Sequence, residues 1–439
     1  MDTKLVLDLP NEKKANFGFM WNMLRNPLEA LTLLAQDQGD IAHVKLRKRD
    51  LFLLSHPEFI EQVLVKQQKN FIKGLSLQRA RIILGDGLLT SEGSEHRAHR
   101  HMLQPAFYHQ RVEEYLPIMN ENTFTQMSQW RDGASVDMSD EMMRLTLNIA
   151  LWSFFGNAPK GAVERVNKSM GTLTKLFPLT QLPVPDVLRR LFPGFKKANA
   201  DLREVTESLS KNPHSENTKN ALIHILKENC EAQFTNEQIH AHTLTFLLAG
   251  HETTALLLTW CLDMLAHHPQ VQAKLQDEVD QVLGDRFPHE EDLQNLPYTR
   301  TIIKETLRLR PPAWTISRQA VQDCEIGGQH IAAGSTVLVS QWVTHHDARF
   351  YEDPHQFRPA RWYEIENVIF PRYAYFPFGG GNRVCIGEHF AMTEAMAALA
   401  MMSHRWSFMP VQEAPAKPSP SITLRPNKNV KLIIGRRAV

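Results

Sequence analysis

The interval between Thr235 and Pro269 restricts the fold most. It opens at Thr235-Asn236-Glu237-Gln238, where a Thr is followed three residues later by a Gln, the pattern of a reciprocal helix N-cap. No proline interrupts the chain from there until Pro269. A helix ending at His268 would be about 50 Å long, enough to cross an entire domain. Two more helices are expected, over 298–310 before Pro311-Pro312 and from just after Cys385 to about Arg405. The latter is apolar on nearly every side at Phe390, Ala391, Met392 and 395–402, so it belongs in the interior. Helical patterning runs from about Glu92 to Leu283, whereas Pro178, Pro183, Pro185 and Pro193 break up residues 177–193. Strand-like runs lie at 41–46, 51–54, 324–331, 336–341 and 430–434. The chain reads as mainly α with a minor β part.

Composition excludes several classes. The 49 Lys and Arg nearly cancel the 48 Asp and Glu, leaving no basic excess of the kind a nucleic-acid binder uses. At 43% apolar residues the chain is not disordered. Cys230, Cys261, Cys324 and Cys385 are too far apart for a disulfide framework or a paired-cysteine metal knuckle, and a reducing compartment is expected. Charges at Asp2, Lys4, Asp8, Glu12, Lys13 and Lys14 rule out a signal-peptide core, and no apolar run is long enough to span a bilayer. The expectation is a cytoplasmic protein without a transmembrane anchor.

Chemistry concentrates in Phe376-Pro377-Phe378-Gly379-Gly380-Gly381-Asn382-Arg383-Val384-Cys385-Ile386-Gly387. The glycines suggest a phosphate cradle, but Val384 stands where GxGxxG needs its third Gly, and no Lys-Ser/Thr pair follows. What remains is a glycine turn presenting one Cys at the start of a buried helix. Backbone N–H groups and the helix dipole there favour a thiolate, a strongly donating ligand for haem iron. Two other readings stay open at this point: an inert buried Cys, and a nucleophile with His389, four residues on, as its base.

This loop resembles the haem-binding segment of the cytochromes P450, FxxGxRxCxG, with Phe378, Gly381, Arg383, Cys385 and Gly387 at the fixed positions. Other segments agree along nearly the whole chain, to Ser421-Ile422-Thr423-Leu424-Arg425-Pro426. Glu305-Thr306-Leu307-Arg308 matches the family's ExxR, whose partner would be Arg361; their implied role is structural. Ala249-Gly250-His251-Glu252-Thr253-Thr254 looks like the oxygen-activation motif. Small residues at 249 and 250 would leave room for dioxygen, and a Thr hydroxyl can bond a carbonyl one turn earlier. Position 255 is Ala, so His251-Glu252 does not begin a zincin HExxH.

The resemblance implies one domain over 1–439: a triangular helical prism with its long helix over the haem, small antiparallel sheets, and a β-rich part from 1–70, 320–345 and 420–439. It implies haem b as cofactor and Cys385 as axial ligand, with Thr253 and Glu252 catalytic. Phe378, Gly379, Gly387 and Ala249 would line the haem, and Arg383, Arg318, Arg100 and His96 would meet its propionates. The family's usual Trp-x-x-x-Arg is here His96-x-x-x-Arg100, a departure that still leaves a donor. With 20 His in the chain, His96 could equally be a surface residue. Candidate walls for an apolar substrate are Leu75, Leu77, Ile82, Leu88, Phe246, Trp314, Ile316, Ile422, Thr423 and Leu424, with residues 177–192 as a lid.

The implied activity is a monooxygenase placing one atom of O2 into an apolar small molecule, such as a fatty acid, terpene or steroid. The likeness leans toward bacterial members similar to eukaryotic long-chain hydroxylases. Only 54 residues follow Cys385, so no fused flavin reductase is expected. Electrons would come from a ferredoxin or flavodoxin with its NAD(P)H reductase, an acidic ferredoxin docking near Arg97, Arg100 and the Cys loop of a monomer. A peroxygenase or isomerase and a non-catalytic haem sensor are the rival classes.

Overall fold

In the computed structural model of the chain, residues 12–46, 49–180, 194–211, 222, 234–366 and 368–438 are described. The central helix spans Asn236–His267, with His268 as C-cap and Pro269 opening the next helix. Its cap closes reciprocally: the Gln238 N–H donates to Thr235 Oγ1 (3.2 Å) and the Thr235 N–H to Gln238 Oε1 (2.9 Å). Between Ala241 and Ala266 every residue is buried except Leu248, Ala249, Gly250 and Thr253. An apolar helix so enclosed must be packed on all sides. Helices Met138–Phe155, Pro269–Leu283, Pro297–Leu309 and Glu388–Arg405 do this.

Gly250 has a packing reason to be glycine. A Cβ there would stand 2.9 Å from Phe154 Cε2, because Met138–Phe155 presses closely on the central helix. The side of Gly250 that a side chain would occupy belongs to Phe154. Ala249 is the exposed residue of the pair.

The largest sheet has five strands in the order Ile41–Leu46, Arg49–Leu54, Thr336–Val339, Ile316–Ala320, Phe71–Lys73. All its pairings are antiparallel except Arg49–Leu54 with Thr336–Val339, so it is mixed. Burial alternates along Phe71–Lys73 and puts both Phe71 and Lys73 inside. A second sheet joins Ser135–Asp137, Lys431–Arg436 and Trp406–Pro410. Two hairpins complete the β part, Cys324–Ile326 with Gln329–Ile331 and Pro418–Pro420 with Leu424–Pro426.

Among the described residues no helix is long and apolar enough to cross a membrane. Of the expected lid, residues 177–180 end the helix Ala162–Thr180, and 181–192 lie outside the described residues, as does Cys230.

Candidate active site

The loop before the helix Glu388–Arg405 is held by its glycines and by neighbours on both sides. Gly379 and Gly381 have φ of +79° and +68°, left-handed values that favour glycine. A Cβ on Gly381 would fall 1.8 Å from the Leu64 carbonyl oxygen, and one on Gly380 2.5 Å from Tyr373 Cε1. The Cys385 N–H donates to the Phe378 carbonyl (2.9 Å), which closes the turn. Ile316 touches the loop, its Cδ1 3.5 Å from where a Gly379 Cβ would stand.

Cys385 is surrounded by protein, yet its own surface stays exposed. Burial raises its thiol pKa, with Glu388 adding, while the Gly387 N–H and Arg100 oppose. Desolvation thus outweighs the backbone donors, and the thiolate needs a further positive charge, such as a metal, to be the resting form.

Cations gather on one side of the loop. Lys73 and Arg318 are cross-strand partners, both buried, and Arg383 reaches the same region. Arg383 pairs with Glu92, whose other oxygen takes the Lys73 N–H (2.7 Å). Arg383 Nη1 is buried without a partner. Among the described residues the Arg318 guanidinium donates only to the Ser317 carbonyl (3.1 Å). Burial and Arg383 push Lys73 down to about 7 against the pull of Glu92, and burial pushes Arg318 to about 10. His96 is buried, not on the surface, and desolvation with Lys73, Arg383 and Arg100 drives it down to about 4. It is therefore a neutral donor at neutral pH. Arg100 gives its Nη1 to the Val384 carbonyl (2.7 Å), tying itself to the Cys loop. Among the described residues two buried cations, Lys73 and Arg318, and the half-buried Arg383 face a single carboxylate, an imbalance that two further carboxylates would correct. Lys73 and Glu92 were not anticipated, although strand alternation places Lys73 on the same face as the apolar Phe71.

On the central helix Thr253 Oγ1 donates to the Ala249 carbonyl (2.7 Å), one turn earlier as expected. Glu252 Oε1 accepts from Thr423 Oγ1 and from Arg425 Nη2 (2.7 Å) and Nε (3.2 Å). This joins two candidate residues, Glu252 and Thr423, directly, and adds Arg425, which sequence reasoning did not single out. Glu252 Oε2 has no hydrogen bond among the described residues.

Glu305, Arg308 and Arg361 meet in the interior. Arg308 forks onto both Glu305 oxygens (Nε 3.0 Å, Nη2 2.8 Å), and Arg361 Nε reaches Oε1 (2.9 Å). Arg308 Nη1 also donates to the His345 carbonyl (2.8 Å), and the His345 ring accepts the Phe376 N–H (3.1 Å). His345 is thus the link from this network to the start of the Cys loop. Burial lowers it to about 3, leaving Nε2 free to accept.

The pocket candidates separate into groups. Leu75, Leu77 and Ile82 are half-buried on the helix Leu75–Leu84. Leu88, Phe246 and Leu424 are buried instead; Phe246 stacks on Phe107 (5.3 Å), and the Leu424 carbonyl accepts from Trp260. Trp314 is half-buried against the cluster that contains Leu31, Leu34 and Leu53, and its indole N–H holds the Ser421 carbonyl (3.1 Å). Ile422 is 45% exposed. Arg97 is exposed, whereas Arg100 is half-buried and bonded to the Cys loop.

The sequence model of the cytochrome P450 family matches residues 11–434, so the chain belongs to that family. Cyclooctatin synthase of Streptomyces melanosporofaciens is 34% identical over 418 residues, 92% of this chain and 90% of its own. Cyclooctat-9-en-7-ol 5-monooxygenase of the same organism is 31% identical over 404 residues, 90% of this chain and 88% of its own. Pentalenene oxygenase of Streptomyces avermitilis is 30% identical over 430 residues, 96% and 95% of the two chains. The protein is accordingly an oxygen-incorporating oxidoreductase, and its family implies a haem cofactor. The residues present fit that group: an accessible sulfur at a helix start, beside buried cations in excess of their one carboxylate.

Proposed function

We propose that the chain is a haem b monooxygenase that hydroxylates or epoxidises an apolar small molecule of the terpene class. Electrons come from a separate ferredoxin or flavodoxin and its reductase. The observation that carries the reading is the surplus of buried cations beside the exposed Cys385, a donor set suited to an iron porphyrin with two carboxylates. Among fatty acids, terpenes and steroids, the names of the relatives favour the terpene, since two of them specify an alkene or an alkenol.

Cys385 Sγ would bind the iron, and His96, Lys73, Arg318 and Arg383 would neutralise the propionates. Arg100 would hold the loop through Val384. The haem, when bound, supplies dioxygen activation. The chain's own part is proton handling and exclusion of water. Thr253 is anchored by the Ala249 carbonyl, which leaves its oxygen able to accept a hydrogen bond and to pass on a proton. Glu252 delivers through Oε2, because Oε1 is occupied by Thr423 and Arg425. Arg425 is partly exposed and connects this carboxylate with the exterior.

Two experiments test the proposal. Cys385→Ser should abolish the thiolate-type spectrum of the reduced carbon monoxide complex, and an unchanged spectrum would refute Cys385 as ligand. With labelled dioxygen, wild type should place one labelled atom in a terpene that also shifts the ferric spin state. A response confined to fatty acids or steroids would refute the substrate class.

A further inference from the structure

Three helix starts meet around a second cluster. His109 opens the helix His109–Met127, Glu290 opens Glu290–Gln294, and His389 is the second residue of Glu388–Arg405. Each offers one ligand atom, and these atoms all lie within 4.8 Å of one another. His109 Nδ1 is 2.8 Å from Glu113 Oε1, while its Nε2 points to Glu290 Oε1 at 3.5 Å. The two imidazoles stack with centroids 4.4 Å apart. Two atoms are left over: His389 Nε2 and Glu290 Oε2 are both buried without a hydrogen-bond partner.

Buried polar atoms normally find partners, and two orphans in one cluster call for an explanation. A third ligand is already oriented, since Glu113 fixes the His109 ring as a carboxylate does behind many metal-bound histidines.

We propose that His109 Nε2, His389 Nε2 and Glu290 form a Zn(II) site that ties together the starts of three helices, one of them four residues beyond Cys385. Two imidazoles and one carboxylate suit zinc, whereas calcium and magnesium prefer all-oxygen sets. Bonds of about 2.0–2.1 Å place tetrahedral donors roughly 3.3–3.4 Å apart, so the cluster must close by a side-chain rotation. His109, exposed and at a helix end, can make that rotation. Water would take the fourth position. The site is independent of the haem assignment, because none of its residues enters that argument.

The test titrates the haem-loaded full chain with Zn(II) against a chromophoric chelator. Wild type should take up one tight equivalent that H109Q, E290Q and H389Q each weaken by about 100-fold or more, and E113Q by about 10-fold. Zinc-edge X-ray absorption should report nitrogen and oxygen near 2.0–2.1 Å. H109Q alters an exposed residue and should keep the wild-type melting temperature in chelator, which separates loss of metal from loss of fold. Wild-type affinity equal to that of H109Q would overturn the site. Sulfur near 2.3 Å around the zinc would do the same.

Discussion

Replacing Glu305 with Gln tests whether the buried network is what holds the Cys loop. The carboxylate accepts five hydrogen bonds: Arg308 Nη2, Arg361 Nε and the Arg358 N–H on Oε1, Arg308 Nε and Trp362 Nε1 on Oε2. Whichever way a Gln amide turns, its NH2 faces at least two donors. Glu305 and both arginines are at most 2% exposed, so water cannot repair the loss. Breaking such a buried ion pair costs about 3–5 kcal/mol. An unfolding entropy of about 2.1 cal/mol/K per residue makes this a fall of roughly 3–6 °C in Tm for one cooperative unit of this size. The assay is thermal and urea denaturation of haem-loaded protein, with Arg349→Gln as control. Arg349 pairs at a half-exposed position with Asp40 (2.7 Å) and Asp347 (2.6 Å), and such surface pairs are worth about 0–1 kcal/mol each. Glu305→Gln should also reduce the fraction showing the thiolate-type carbon monoxide spectrum, because Arg308 acts on Phe376 through His345. If Glu305→Gln costs no more than the control and leaves that fraction intact, the network is not the scaffold of the loop.

Gly381→Ala should prevent the loop from closing, since the new Cβ meets the Leu64 oxygen and the backbone is left-handed; normal haem content in that variant would contradict the geometry. Thr253→Ala should leave stability within ~1 kcal/mol while lowering product formed per electron, and unchanged coupling would remove Thr253 from proton handling. Acidification should destabilise the fold, because His96 (about 4) and His242 (about 3) are lowered mainly by burial. Unfolded histidine titrates near about 6.5. The unfolded chain therefore binds more protons below that pH, and stability complete above it is lost toward pH 4 and 3. Each histidine contributes on the order of 1.4 kcal/mol per pH unit inside its window. Urea midpoints against pH should show a shallower acid limb in His242→Gln, and an identical limb would refute the account.

The long helix was legible because its signals are local: Thr235 and Gln238 at one end, Pro269 at the other, and no break between. Thr253 bonding to Ala249 was legible for the same reason, being set by helix period alone. The Cys loop could be read from fixed spacing, and Glu305 with Arg308 from i, i+3 geometry. What escaped depends on distant partners. Phe71–Lys73 is three residues long and exists by pairing with Ile316–Ala320. The close approach of Phe154 to Gly250 comes from another helix, and nothing in the local sequence announces it. Trp314, apolar and next to Pro311-Pro312, packs against the cluster that contains Leu31 and Leu53, which its own surroundings in the sequence do not announce. Arg425 was passed over because nothing in Leu424-Arg425-Pro426 reveals Glu252.

The charge pattern around Glu92 makes folding and cofactor binding one problem. Lys73, Arg318 and Arg383 repel one another in a buried region, and the lowered values of the first two record that cost beside the larger one of desolvation. A structural ion-pair network would carry matching carboxylates, as Glu305 does for its arginines and the nearby backbone carbonyls complete. Here the match is incomplete: Arg383 keeps a buried nitrogen unpaired, and Lys73 satisfies its ammonium only with the Ser91 (2.6 Å) and Leu88 (3.2 Å) carbonyls. In the proposed assignment the missing negative charge arrives with the propionates. Their approach raises the proton affinity of Lys73, so cofactor uptake near neutral pH should draw a proton from solution, and the chain gains in binding what its unpaired cations cost in folding.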